Sequence, residues 1–394
     1  MARKVLTLNQ ISVKGLERLP RDAYEIASEF TSPDAILLRS HSLKVEEIAG
    51  SVLAIGRAGA GVNNIPVAEC SRRGIPVFNS PGANANAVKE LVATAMLLGS
   101  RGIIEGIRYV DTLAGLTDKA EMHRVLEAQK KQFKGNELVG KTLGVVGLGA
   151  IGSMVAEMAL TMGMEVVGYD PALSVEAAWR LSSKVRRAET LSALFARSDY
   201  ITLHLPVLDS TRGLVNAELL GAMKADACLL NFARQEIVNE DDLVRALDGR
   251  TLRKYIADFP SPALIGRNNV ILMPHIGAST DEAEDNCAIM VADQLRDFLE
   301  NGNIRNSVNF PTLELERVRG CRLSFSNDNV PRILGSVLAI LADENINVID
   351  MLNKSRGELA YNLIDIDTHV SDDILDAMRA LDGVINVRLI GDCG

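Results

Sequence analysis

The chain has 394 residues, of which 47% are hydrophobic and 24% charged, and its formal net charge is −9. That length allows two or three globular domains, and the composition is ordinary for a soluble chain. The acidic balance argues against nucleic acid or an anionic membrane as a partner, and no apolar run reaches the roughly 20 residues that cross a bilayer.

The amino terminus, Met1 to Asn9, starts basic but has no long apolar stretch and no small-residue cleavage site, so it reads as a first strand rather than a signal peptide. The five cysteines (Cys70, Cys228, Cys287, Cys321 and Cys393) form no Cys-x-x-Cys pair. Their odd number and scatter point to buried thiols in a reducing cytoplasm. They argue against a disulfide framework or a zinc site. The five histidines are equally dispersed, so no metal is expected.

Residues 1–95 alternate strand and helix. Val5–Leu8, Ala35–Leu38, Leu53–Ile55 and Val77–Phe78 read as strands, and this alternation implies a parallel sheet. Residues 88–109 read as one long apolar helix bridging two domains, and 117–137 as a charged helix. A second strand–helix series begins at Lys141. Its strands are Leu143–Val146, Val166–Tyr169, Tyr200–Leu203, Cys228–Asn231, Tyr255–Asp258 and Val270–Leu272, the six of a doubly wound dinucleotide domain. A helix over Glu282–Asn301 is expected to return to the first domain. Asn306–Arg319 reads as a linker centred on Pro311. From Arg319 onward the order is β-α-β-β-α-β, the ferredoxin-like arrangement.

The densest signal lies between Leu143 and Asp170. A short buried strand runs into Gly147-Leu-Gly149-Ala-Ile-Gly152, then a helix, a second strand and an acid. The first glycine of G-x-G-x-x-G permits the turn, the second lets a pyrophosphate approach, and the third lets helix and strand pack. The free N–H groups of the helix start favour phosphate. Asp170, eighteen residues beyond Gly152, is placed for the ribose 2′-OH of NAD and against the 2′-phosphate of NADP. Three more polar residues follow strands of the same series: Arg234, Asp258 and His275. Ligands of open α/β sheets gather at the carboxyl ends of strands. There an arginine can clamp a carboxylate, and a histidine can take a hydroxyl proton.

Asn231-Phe-Ala-Arg-Gln-Glu-Ile-Val-Asn-Glu240, Ala257-Asp-Phe-Pro260 and Met273-Pro-His-Ile-Gly-Ala-Ser-Thr280 resemble signatures of the D-isomer-specific 2-hydroxyacid dehydrogenases. Leu38-Arg-Ser40, Gly56 to Ile65 and Arg73 to Pro81 resemble the same family, and the C-terminal segment resembles an ACT domain. The resemblance implies an α/β chain of two Rossmann-like or flavodoxin-like doubly wound domains plus an ACT domain. Residues 1–95 and 285–312 would bind substrate, 96–284 NAD, and 319–394 would regulate. It implies His275 as general acid/base and Arg234 as carboxylate anchor. Gly147, Gly149, Ala150, Ile151, Gly152, Asp170, Phe232, Ala233, Asp258, Gly277 and Ala278 would line the NAD site. Arg39, Ser40 and Arg57 would meet the substrate's phosphate end, with Lys89 and Lys141 as weaker candidates. The ACT-like tail implies NAD-dependent oxidation of D-3-phosphoglycerate to 3-phosphohydroxypyruvate by a cytoplasmic homodimer or higher homo-oligomer, with domain closure excluding water. Reduction of hydroxypyruvate or glyoxylate is the alternative, and NAD sensing without turnover the remote one.

The chain departs from the family in places. The glutamate that usually follows the Asp258 position and orients the histidine is missing from Asp258-Phe-Pro-Ser-Pro262. Glu282, Asp281 or Glu90 would have to substitute, and otherwise the imidazolium is less stabilised. Gln235 and Asn239 replace a glycine and an aspartate. Trp179, the single tryptophan, is expected to pack. Asn327, Asn329 and Asn347 fall where an L-serine effector would find polar ligands, but Arg332 stands at a position that is usually glycine, where it would crowd a ligand.

Overall fold

The computed structural model describes residues 2–318 and 320–391, the Glu176 side chain apart. It divides into two compact units, residues 1–84 with 281–394 and residues 85–280. Residues 85–95, expected in the first domain, belong to the second unit.

The first unit opens with a five-stranded parallel sheet of β1 (Arg3–Leu8), β2 (Tyr24–Ala27), β3 (Ala35–Leu38), β4 (Ala54–Arg57) and β5 (Val77–Phe78), in the order β2-β1-β3-β4-β5. This is the flavodoxin-like doubly wound order. β2 escaped the sequence reading because Tyr-Glu-Ile-Ala carries little alternation. β3 is Ala-Ile-Leu-Leu, buried at every position as a central parallel strand must be. The helix Asp281–Asn301 lays Val291, Leu295, Phe298 and Leu299 against this sheet.

The second unit holds a seven-stranded parallel sheet. Its strands are β6 (Thr142–Val146), β7 (Glu165–Tyr169), β8 (Arg186–Arg187), β9 (Tyr200–Leu203), β10 (Cys228–Asn231), β11 (Lys254–Ala257) and β12 (Val270–Leu272), ordered β12-β11-β10-β9-β6-β7-β8. Only β8, two residues long, was not expected. The predicted helix over 88–109 is two helices, Ala85–Ser100 and Ile103–Asp111, broken around Gly102. The helix expected over 117–137 is shorter, Lys119–Gln129, followed by a 3₁₀ turn.

The C-terminal module is an antiparallel sheet of β13 (Cys321–Asp328), β14 (Val348–Arg356), β15 (Leu359–Ile366) and β16 (Val384–Ile390), ordered β14-β15-β13-β16. Helices Ile333–Asp343 and Asp372–Arg379 complete the ferredoxin-like order. One face carries the module's own core of Leu323, Phe325, Val337, Leu341, Ile364 and Met378. The other face packs on the first α/β layer, where Tyr361 and Leu363 join the core formed by Phe298, Leu299, Phe310 and Leu313.

Arg322 stands on that second face, fully buried, and all five of its N–H groups are matched. Nε and Nη2 donate to Asp365 Oδ1 and Oδ2 at 2.6 and 2.7 Å. The remaining three donate to the carbonyls of Asn301, Leu315 and Glu316 at 2.9–3.0 Å. Tyr361 Oη donates to the Gly302 carbonyl at 2.8 Å, and the Arg388 guanidinium lies 4.6 Å from the Phe298 ring centroid. The segment 306–318, expected as a linker, is therefore structural. Phe310, Leu313 and Leu315 are buried, and Ile304 and Leu313 form a bridge. The last residue of the expected linker, Arg319, lies outside the described residues.

Two further expectations are corrected. Trp179 is 85% exposed, because the short helix Val175–Arg180 turns it away from the sheet. Cys321 is disulfide-bonded, whereas Cys70, Cys228 and Cys287 are free and buried. Cys393 lies outside the described residues. Among the described residues no helix is long and apolar enough to cross a membrane, and no group of acids, histidines and cysteines could hold a metal.

Removing one partner of a buried ion pair strands the other, at about 3–5 kcal/mol, while replacing both with apolar groups is often neutral. Arg322→Met should lower the thermal transition markedly, and the Arg322→Met/Asp365→Leu pair should recover only the share due to the stranded acid, because the carbonyls of Asn301, Leu315 and Glu316 still lose their donor. Calorimetry of the full chain checks both.

Candidate active site

In the second sheet the chain runs from β6 outward to β7 and β8, then returns to β9 on the other side of β6. The carboxyl ends of β6 and β9 therefore border the switch-point crevice where open α/β sheets bind ligands. The glycine turn leaves β6 into this crevice. Gly147 has φ +90°, and a β-carbon there would collide with the His204 carbonyl oxygen. A β-carbon on Gly152 would collide with the carbonyl of Gly147, so the helix can sit this close only without one. At Gly149 a β-carbon would meet nothing within 4 Å. That open space lies at the N-cap of the helix Ala150–Thr161, and no side chain caps its first N–H groups. The three glycines thus divide the roles expected of them, with a bare helix start and free room where a pyrophosphate would sit. A dinucleotide fits this turn.

Asp170 ends β7 beside that turn. Its Oδ2 accepts the Leu148 N–H at 2.8 Å and its Oδ1 accepts that of Ala172 at 2.9 Å. The carboxylate is fixed next to the glycine loop, as a ribose-reading acid must be. Ala150 and Ile151 form the first helical turn. Phe232 and Ala233 are buried in the loop after β10.

β10, β11 and β12 deliver the polar residues. Asn231, fully buried at the end of β10, builds the arginine loop. Its Oδ1 accepts the Ala233 N–H at 3.1 Å and its Nδ2 donates to the Arg234 carbonyl at 2.9 Å. Arg234 is extended, half-buried, and donates from Nη1 to the Ala233 carbonyl at 2.7 Å. Asp258 follows β11 and is 2% exposed. Its Oδ1 and Oδ2 accept the N–H groups of Ile276 and Gly277 at 2.8 and 2.6 Å. That clamp fixes the turn His275-Ile-Gly-Ala278. His275 has φ +58°, which is uncommon outside glycine.

Glu90 accepts from Asn86 Nδ2 at 2.8 Å, and among the described residues of the unit no carboxylate pairs with His275. Asp281 and Glu282 belong to the other unit, on the first turn of its long helix. Lys89 Nζ donates to Asn86, and Lys141 precedes β6, at the end of the sheet opposite the glycine turn.

Sequence reasoning passed over His204. It follows β9 at the switch point and donates its N–H to Val146 O at 2.8 Å. Its Nε2 lies 2.9 Å from Thr202 Oγ1, while Nδ1 is buried with no partner. Burial pushes the ring down to about 3. It therefore stays neutral at physiological pH. Its signal was a histidine directly after the central strand Tyr200–Leu203.

In the first unit Arg39 and Arg57 leave the carboxyl ends of adjacent strands, β3 and β4. Arg57 Nε donates to the Arg39 carbonyl at 3.0 Å, and Arg39 pairs with Glu284 at 2.6 Å. Asn9, at φ +75° after β1, accepts the Ser40 and His41 N–H groups and so shapes the loop that carries Ser40. In the C-terminal module one chain does not bring the three asparagines together. Asn327 is 5% exposed and committed to Asn362 and the Asp328 carbonyl. Asn329 is exposed nearby. Asn347 lies at the opposite end of the sheet, next to Val348, which pairs with Ile366. Arg332 has φ +81°, the backbone of a glycine position.

Residues 103–277 match the family described as D-isomer specific 2-hydroxyacid dehydrogenase, NAD binding domain. The chain is 38% identical over 329 residues to a D-3-phosphoglycerate dehydrogenase of Synechocystis sp., covering 79% of this chain and 56% of that one. It is 33% identical over 371 residues to the D-3-phosphoglycerate dehydrogenase of Escherichia coli K12, covering 90% and 86%. The crystal structure of an NAD+-bound 3-phosphoglycerate dehydrogenase from Entamoeba histolytica matches with a TM-score of 0.62 at 27% identity, over 79% of this chain and 100% of that one. With the glycine turn, the acid after β7 and the arginine and histidine loops in one sheet edge, the chain belongs to the D-isomer-specific 2-hydroxyacid dehydrogenases and, within them, to the D-3-phosphoglycerate dehydrogenase family.

Proposed function

We propose that this protein oxidises D-3-phosphoglycerate to 3-phosphohydroxypyruvate with NAD+. The observation that carries the reading is the placing of Arg234 and His275 on the carboxyl edge of the same sheet whose β6 carries the glycine turn. The glycine turn, Ala150, Ile151 and Asp170 hold the cofactor's phosphate and ribose ends, and Phe232, Ala233, Asp258, Gly277 and Ala278 its remainder. NAD+, when bound, supplies the hydride acceptor. Arg234 binds the substrate carboxylate through paired N–H donors. His275 takes the C2 hydroxyl proton as general base and returns it in the reverse direction. Arg39, Ser40 and Arg57 are the candidates for the phosphate.

The same reading extends to assembly. Ile107 and Val110 are 59% and 54% exposed on the helix Ile103–Asp111, beside a cleft of about 690 Å³ lined by Ile103, Tyr109, Leu126 and Phe133. An exposed apolar face of this kind marks an interaction surface, and it supports a homodimer formed through the cofactor-binding unit. For L-serine the exposed candidates are Asn329 and Asn347, which one chain holds at opposite ends of the sheet, so a site using both needs a second copy of the chain.

NADH formation from D-3-phosphoglycerate tests the activity. Turnover should require the phosphate and should favour NAD+ over NADP+. Turnover of unphosphorylated hydroxyacids alone would instead make the protein a hydroxypyruvate or glyoxylate reductase, and NAD binding without turnover would make it a sensor. L-serine added to the same assay reports on the module. His275→Ala should lower kcat about 10²–10⁴-fold with NAD+ affinity kept, whereas Arg234→Ala should lower kcat/KM by about 10–100-fold, the worth of a charge-assisted hydrogen bond. Asp170→Ala should narrow the NAD+ over NADP+ preference in kcat/KM. Ile107→Lys should give a monomer by light scattering if the exposed helix is the dimer face.

A further inference from the structure

His275 lies in a turn that is pinned on one side and braced on the other by two consecutive residues. Asp258 holds the backbone at Ile276 and Gly277 through both carboxylate oxygens. The next residue, Phe259, is half-buried and places its ring against the imidazole, with centroids 5.0 Å apart and planes inclined by 53°. This tilted arrangement is one that aromatic pairs favour over a face-to-face sandwich. The backbone clamp fixes where His275 starts but leaves its side-chain torsions free. Among the described residues of its unit no carboxylate pairs with the imidazole, and the Phe259 ring lies against it.

We propose that Phe259 is the positioning residue for His275, filling by packing the place that a carboxylate would fill by hydrogen bonding. This rests on the reading of His275 as the general base. The shortened run Asp258-Phe-Pro-Ser-Pro262 brings the phenyl ring directly after the clamping aspartate. Asp258 and Phe259 thus act on one turn from one strand end, the first on its backbone and the second on its ring. A phenyl ring offers an imidazole N–H no lone pair, only a weakly accepting π face. It therefore fixes where the ring lies without selecting its tautomer, which distinguishes this device from an acid partner. A catalytic base must meet its proton within hydrogen-bond reach, and small misplacements cost rate far more than binding.

The test compares Phe259→Ala, Phe259→Tyr, His275→Ala and the Phe259→Ala/His275→Ala double variant in full-length protein. Phe259→Ala should lower kcat about 10–100-fold, with the melting temperature and NAD+ affinity close to wild type. Phe259→Tyr, which keeps the ring, should recover most of the rate, and the double variant should be no slower than His275→Ala alone. Unchanged kcat in Phe259→Ala, a change confined to KM, failure of the tyrosine to rescue, or losses that multiply in the double variant would each overturn the proposal. A second readout does not depend on turnover. In protein with ¹³C-labelled histidine, the His275 ring signal, assigned by its loss in His275→Ala, should carry a ring-current shift that disappears in Phe259→Ala. If wild-type protein oxidises no 2-hydroxyacid, the functional reading fails. The ring-current experiment then still decides whether Phe259 orders the imidazole, and an unshifted signal sinks the idea.

Discussion

Asp258 is a carboxylate held out of water, and such a group persists only when donors surround it. Here the donors are two consecutive backbone N–H groups of the turn after β12, so the strand end and the turn stand or fall together. β11 lies between β10 and β12 in the sheet. The arginine loop after β10 and the histidine turn after β12 are therefore registered to each other through the strand that carries this acid. Asn231 does the equivalent work on the arginine side, with its amide locked between Ala233 and Arg234. Two buried polar residues thus set the backbone of the arginine loop and of the histidine turn.

Much of this was legible in the sequence because the second unit follows local rules. Buried parallel strands appear as short apolar runs, and the six expected ones were found. The glycine spacing announced a tight turn and a closely packed helix, and the space at Gly147 and Gly152 admits no β-carbon. Arg332 keeps a glycine-like backbone despite its side chain, which its place in the sequence did not announce. His204 was missed because a neutral histidine after a strand has no distinguishing neighbour in the chain.

What could not be read depends on distant partners. β13 alternates apolar and polar residues, a pattern that normally means one face in water. Yet Arg322, Ser324 and Ser326 are all buried, because the polar face is pressed against the first α/β layer. Arg322 finds its acid 43 residues later and its three carbonyls on the chain that precedes the module. The same interface turned an expected linker into core through Phe310, Leu313 and Leu315. The asparagines expected to share one effector site end up at opposite ends of a sheet, since antiparallel pairing through β15 separates residues 327 and 347 by the length of the strands.

The seam under β13 alters what the tail can be. A regulatory module on a loose tether can be trimmed away, leaving a soluble catalytic fragment behind. Here a chain ending before Cys321 would lay open Phe298, Phe310 and the end of the long helix, all now covered by Tyr361, Leu363 and Arg388. Such a fragment would carry a raw apolar surface and a tendency to aggregate. The tail is thus a wall of the first unit as well as a module with a core of its own.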